Sequence, residues 1–61
     1  MRLRDALTPE TSRKVSRLVA QAQRCFRLAD AQLDRAIAER LEALGRSYLA
    51  EVHRLLSEEE P

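Results

Sequence analysis

Leu28-Ala29-Asp30-Ala31 lies near the middle of the chain, and its reading decides the fold. If the backbone turns there, the residues on either side form two helices of comparable length; otherwise they form one. Asp30 offers a side-chain oxygen to the free N–H groups of a second helix start, although neither Gly nor Pro stands beside it to help the turn. An unbroken helix over residues 9–57 would be about 73 Å long at 1.5 Å per residue, a length sustained only in a coiled coil or a larger assembly. The expected arrangement is therefore a hairpin turning near 28–32, with helix 1 over 9–28 and helix 2 over 31–57. A single long helix stays open as the alternative, because no strong breaker falls between Pro9 and Gly45.

Outward from that stretch the helical signal is continuous. Val15, Val19, Ala22, Phe26, Ala29, Leu33, Ile37, Leu41, Leu44, Tyr48, Val52 and Leu55 recur every three or four residues and form one apolar stripe on a straight helix. Thr8-Pro9-Glu10 is a helix start: Thr8 as N-cap, Pro9 at the first helical position and Glu10 complementing the dipole. Residues 1–8 read as a flexible arm and 58–61 as a frayed acidic tail, since Glu58, Glu59 and Glu60 oppose the dipole at a helix C-terminus. Gly45-Arg46-Ser47 is a second place for a break, but Leu41, Leu44, Tyr48 and Val52 keep helical spacing straight through it. Small residues recur every seven positions at Ala22, Ala29, Ala36, Ala43 and Ala50, and again at Ala31, Ala38 and Gly45. Such rows let helix axes approach closely. Ala38, Gly45, Leu49 and Leu56 widen the apolar arc of the second half, which suits a helix touching two neighbours.

Composition agrees. Ala, Leu, Arg and Glu dominate, there is one glycine, and Phe26 and Tyr48 are the only aromatics. A chain of 61 residues buries only roughly 60% of the surface its unfolded form exposes, so such chains usually gain stability from disulfides, a metal or a partner. One cysteine, Cys25, excludes an internal disulfide, and Cys25 with His53 falls short of a zinc ligand set. Self-association, or docking on another protein, is the remaining source. No apolar run approaches the roughly 20 residues of a membrane span, and the N-terminus has no apolar segment behind its charges. The expected address is the cytoplasm, with an Arg/Ala/Leu bias that points to a bacterial source.

Charge divides unevenly. Residues 1–29 carry seven basic and two acidic side chains, and residues 30–61 carry four basic and eight acidic ones, so the halves have net charges of +5 and −4. Opposite halves favour antiparallel pairing, within a hairpin or between chains. Arg13, Arg17 and Arg24 line the face opposite the apolar stripe, with Lys14 at its margin; guanidinium groups so spaced can follow phosphates. Against nucleic-acid binding, no aromatic stands among them to stack a base, and the overall net charge is only +1.

Nothing points to catalysis. Cys25, beside Phe26 at the stripe edge, reads as a buried inert thiol and His53 as a surface side chain. A Cys25–His53 pair lacks an orienting third group and a glycine-rich oxyanion loop. No carboxylate makes the Glu-x-x-His pair of a di-iron bundle, and no glycine loop exists to hold a phosphate. No enzyme activity, cofactor or metal is therefore expected. The chain length, the turn around Asp30-Ala31 and the spacing of Ile37, Glu39 and Leu41 resemble the Rop family of plasmid RNA-binding proteins, helical hairpins that dimerise. The likeness covers a short stretch without a distinctive motif. Phe26 departs from that family by falling on the apolar stripe, so no functional residue is carried over.

The sequence thus implies one all-α domain over 1–61: an antiparallel hairpin that dimerises into a four-helix bundle and serves as a protein–protein module. Its interface is expected at Val15, Val19, Phe26, Leu33, Ile37, Leu41, Leu44, Tyr48, Val52 and Leu55. The rival is a nucleic-acid-binding dimer that uses Arg13, Lys14, Arg17 and Arg24.

Overall fold

Thr8 has an extended backbone, and its side chain accepts a hydrogen bond from the Thr11 N–H at 3.0 Å, which starts the first helix as its N-cap. In the computed structural model, which describes residues 8–59, helix α1 spans Pro9–Ala31 and helix α2 spans Arg35–Glu59. The two pack side by side as a hairpin, and no strand occurs among the described residues. Its extents are 46 × 16 × 15 Å, a rod two helices wide.

The turn falls three residues later than Asp30. Helix α1 continues to Ala31, which carries Ala29 into the core at 4% exposure. The Gln32 N–H then closes the helix on the Ala29 carbonyl at 3.2 Å. Asp34, not Asp30, caps α2: its Oδ1 accepts from the N–H groups of Ala36 at 2.9 Å and Ile37 at 3.2 Å. Those are the second and third residues of the helix, where an N-cap side chain reaches. The turn needs no glycine, since no described residue takes a positive φ and Gln32 is extended. The expected helix limits of 28 and 31 thus move to 31 and 35.

Gly45-Arg46-Ser47 does not break α2. Gly45 keeps helical backbone, and the Ser47 hydroxyl donates to the Ala43 carbonyl one turn back at 3.1 Å instead of capping a new helix. At the far end the helix runs past 57 through Glu59. Arg54 bonds both Glu51 and Glu58, which offsets the unfavourable dipole at Glu58. The arm expected at 1–8 falls, except for Thr8, outside the described residues, as do Glu60 and Pro61 of the tail.

The seam between the helices has heptad spacing. On α1, Thr11, Val15, Leu18, Ala22, Cys25 and Ala29 are buried or half-buried; on α2, Ala38, Leu41, Gly45, Tyr48, Val52 and Leu55 are. Steps of three and four alternate on both helices, the pattern that keeps two α-helices in contact along their length. The apolar residues most deeply buried are small: Ala22, Cys25, Ala29 and Val52, at 1–8% exposure. Gly45 leaves room for the Phe26 ring from α1. A Cβ placed there would lie 2.8 Å from Cε1 and Cζ of Phe26, inside van der Waals contact.

Leu33 leaves the stripe. It sits in the connector at 103% exposure because residues 32–34 are not helical and the periodicity does not carry through them. The rows of small residues divide as well: Ala22, Ala29, Ala38 and Gly45 line the seam, whereas Ala31, Ala36, Ala43 and Ala50 are exposed.

Candidate interaction surface

A hairpin of two helices has a seam and two broad faces, and one of these faces can be located from charge. Glu51 on α2 has its carboxyl held below the usual carboxylate range, first by a hydrogen bond from Arg54, then by the charges of Arg54 and of Lys14 on α1. The seam spacing places both on one face: Lys14 stands one residue before the seam residue Val15 and Glu51 one before Val52, and in antiparallel helices such positions flank the seam on the same side. Residues seven apart return to nearly the same side of a helix, drifting only about 20° per step. Lys14, Gln21 and Leu28 thus form one row on α1, and Ile37, Leu44, Glu51 and Glu58 form one on α2. The two rows flank the same groove.

This face is graded along its length. Next to the connector it carries Leu28 and Ile37, and at mid-length Leu44 stands level with Gln21; the three apolar side chains are each 45–46% exposed. Toward the open end it carries Lys14, Glu51 and Glu58. Leu41, Tyr48 and Leu55, half-buried, form the floor beside the α2 row. Leu33 stands at the tip. Exposed leucines and isoleucines are ordinary when scattered, but four in the connector half of so small a molecule are not.

The residues expected at an interface fall into three groups. Ile37, Leu44 and Leu33 are exposed and open to a partner. Val52 is buried within the hairpin, and Val15, Leu41, Tyr48 and Leu55 are half-buried along the seam. Val19 and Phe26 are half-buried on the opposite face, Phe26 against Gly45. Leu28 was absent from the sequence-derived set because it lies off the straight-helix stripe. Only its seven-residue spacing from Lys14 and Gln21, combined with knowledge of which face Lys14 occupies, could have brought it in.

Arg13, Arg17 and Arg24 are exposed along the outer side of α1, as is Lys14 at its margin. None of them is ion-paired among the described residues, where the ion pairs are those of Arg54. Arg13, Lys14 and Arg17, with Glu10, line a shallow depression. A second open depression near the connector is bounded by Gln32, Leu33, Arg35, Ala38, Glu39 and Glu42. It mixes charges of both signs with no convergent set of catalytic groups.

Cys25 is buried in the seam at 8% exposure. His53 is exposed about five helical turns from the connector, whereas Cys25 is about two from it, so the pair does not meet. No group of His, Cys, Asp and Glu suited to a metal occurs among the described residues, and no described helix is long and apolar enough to cross a membrane. In comparison with known proteins, no family model, no curated protein and no solved structure matches the chain.

Proposed function

We propose that this chain is a non-enzymatic protein–protein interaction module that works by self-association, two hairpins pairing into a homodimeric four-helix bundle. On this reading it acts in a bacterial cytoplasm, and a regulatory role comes from a further partner helix docking on the assembled bundle. The observation that carries the proposal is the apolar end of the graded face, Leu28, Ile37 and Leu44 at 45–46% exposure with Leu33 fully exposed beside them. The interior offers little to set against that exposure. The only buried apolar side chains among the described residues are Ala22, Cys25, Ala29 and Val52. A hairpin with so small a core gains by covering its remaining leucines.

The test is Ile37→Asp/Leu44→Asp. Both side chains project from the hairpin, so the substitutions place charges in the dimer interface while sparing the seam. A fall in solution mass to that of one chain supports the proposal. An unchanged oligomer, or a wild-type chain that is already a stable helical monomer, overturns it.

The second reading is nucleic-acid binding along α1, favoured by Arg13, Arg17 and Arg24 with Lys14, all exposed and none ion-paired among the described residues. It requires affinity that falls steeply with salt and disappears in Arg17→Glu/Arg24→Glu. Absence of binding to RNA and DNA at low salt removes it.

A further inference from the structure

We propose that the two hairpins pair with their connectors at the same end, α1 of one copy lying over α2 of the other. This rests on the self-association proposed above and adds the orientation. Two arrangements bring the graded faces together with two-fold symmetry. In one the symmetry axis runs parallel to the helices, which keeps both connectors at one end and crosses α1 onto the partner's α2. In the other the axis runs across them, which sends the connectors to opposite ends and places like helices over each other.

The gradient along the face discriminates between the two. With connectors together, Leu28 and Ile37 of one copy meet the same two side chains of the other, apolar on apolar, while Leu44 lies level with Gln21. With connectors opposed, Leu28 and Ile37 lie over the Lys14, Glu51 and Glu58 end. That would press charged groups onto apolar side chains while leaving each apolar patch without its match.

Charge on the same face points the same way. With connectors together, Lys14 on α1 of one copy lies beside Glu51 on α2 of the other, at similar distances from the connector. Opposed connectors would instead place Lys14 and Glu51 at the far end of the rod from their counterparts on the partner. Complementary edges select register and orientation even where each pair adds little to affinity.

A distance between connectors separates the arrangements. Helices of 23 and 25 residues span about 35–37 Å at 1.5 Å per residue. A spin label is placed at the fully exposed connector position with Leu33→Cys, in a Cys25→Ala background that removes the buried thiol. The label-to-label distance is read by pulsed electron resonance on the full chain, and the solution mass of the same sample is measured alongside. A dimer with connector labels within about 25 Å of each other fits lateral contact of adjacent tips; about 40 Å is expected of opposed tips, given the 1.5 Å rise of each helix residue. A dimeric mass with the long distance overturns the orientation and leaves self-association standing. A monomeric mass in both labelled and parent protein overturns the reading beneath it. Should the label itself disturb pairing, Ser57→Cys, exposed at the open end, gives the same pair of outcomes.

Discussion

Gly45→Ala sets two effects of known sign against each other at one position. Glycine within a helix costs about 0.8–1.0 kcal/mol relative to alanine, so on propensity alone the substitution stabilises by that amount. The backbone permits it, because Gly45 does not take a positive φ. The new Cβ, however, would stand 2.8 Å from Cε1 and Cζ of Phe26 and 3.2 Å from Cδ1. Relieving this overlap displaces the ring or separates the helices, and overpacking of this kind costs about 1–3 kcal/mol. Phe26 is half-buried and its ring can yield toward solvent, which places the cost toward the lower end. The net expectation is a destabilisation of about 0–2 kcal/mol. At about 4–8 °C per kcal/mol for a domain of this size, that lowers the melting midpoint by up to roughly 15 °C.

The background decides the sign. Phe26→Leu removes Cε1 and Cζ, so in that background Gly45→Ala should recover most of its propensity gain and raise the midpoint by several degrees. The four proteins form a double-mutant cycle with an expected coupling of about 1–3 kcal/mol. The assay is thermal unfolding by circular dichroism at one fixed chain concentration, because association shifts the midpoint. If Gly45→Ala raises the midpoint equally in both backgrounds, Phe26 does not pack on Gly45 and the seam has been assigned to the wrong residues.

Asp34→Ala removes the side-chain cap of α2 and should cost about 1 kcal/mol, read as a lower melting midpoint, whereas Asp30→Ala should change little. The Glu51 carboxyl titrates below its ordinary value in the folded chain. Its contribution is therefore complete above the unfolded value near 4.5 and is lost as pH falls through the folded one. Glu51→Gln should flatten that part of the acid melting curve, with only a small effect at neutral pH because the pair is exposed. Arg17→Glu/Arg24→Glu should leave helicity and solution mass unchanged within error, since neither side chain is ion-paired among the described residues; dissociation would place the interface on the outer side of α1.

The helices themselves were legible in the residues. Thr8-Pro9-Glu10 marks the start of α1, and the spacing from Leu41 to Val52 carries α2 through Gly45 despite the glycine. The turn was legible in kind but displaced in position, since Asp30 and Asp34 offer the same capping chemistry. What selects Asp34 is tertiary: continuing α1 to Ala31 buries Ala29 in the seam, a benefit that local sequence does not display. A single periodic stripe drawn from Val15 to Leu55 also assumes one unbroken helical phase, and the connector at 32–34 resets it. Leu33 was consequently placed on the stripe and Leu28 off it. The packing of Phe26 on Gly45 depends on which residues meet across the turn and so could not be read from either helix alone. Charge fared better: the row containing Lys14 and the row containing Glu51 come together on one face as the opposite net charges of the two halves implied.

Self-association is tested most directly by solution mass, measured by light scattering at two protein concentrations and at low and high salt. A mass twice the 7.0 kDa of the chain under all four conditions is the predicted result, because the apolar end of the face dominates the contact and salt screens only its charged edges. A helical chain that stays at 7.0 kDa throughout would contradict the account and leave the exposed Leu28, Ile37 and Leu44 for a different protein.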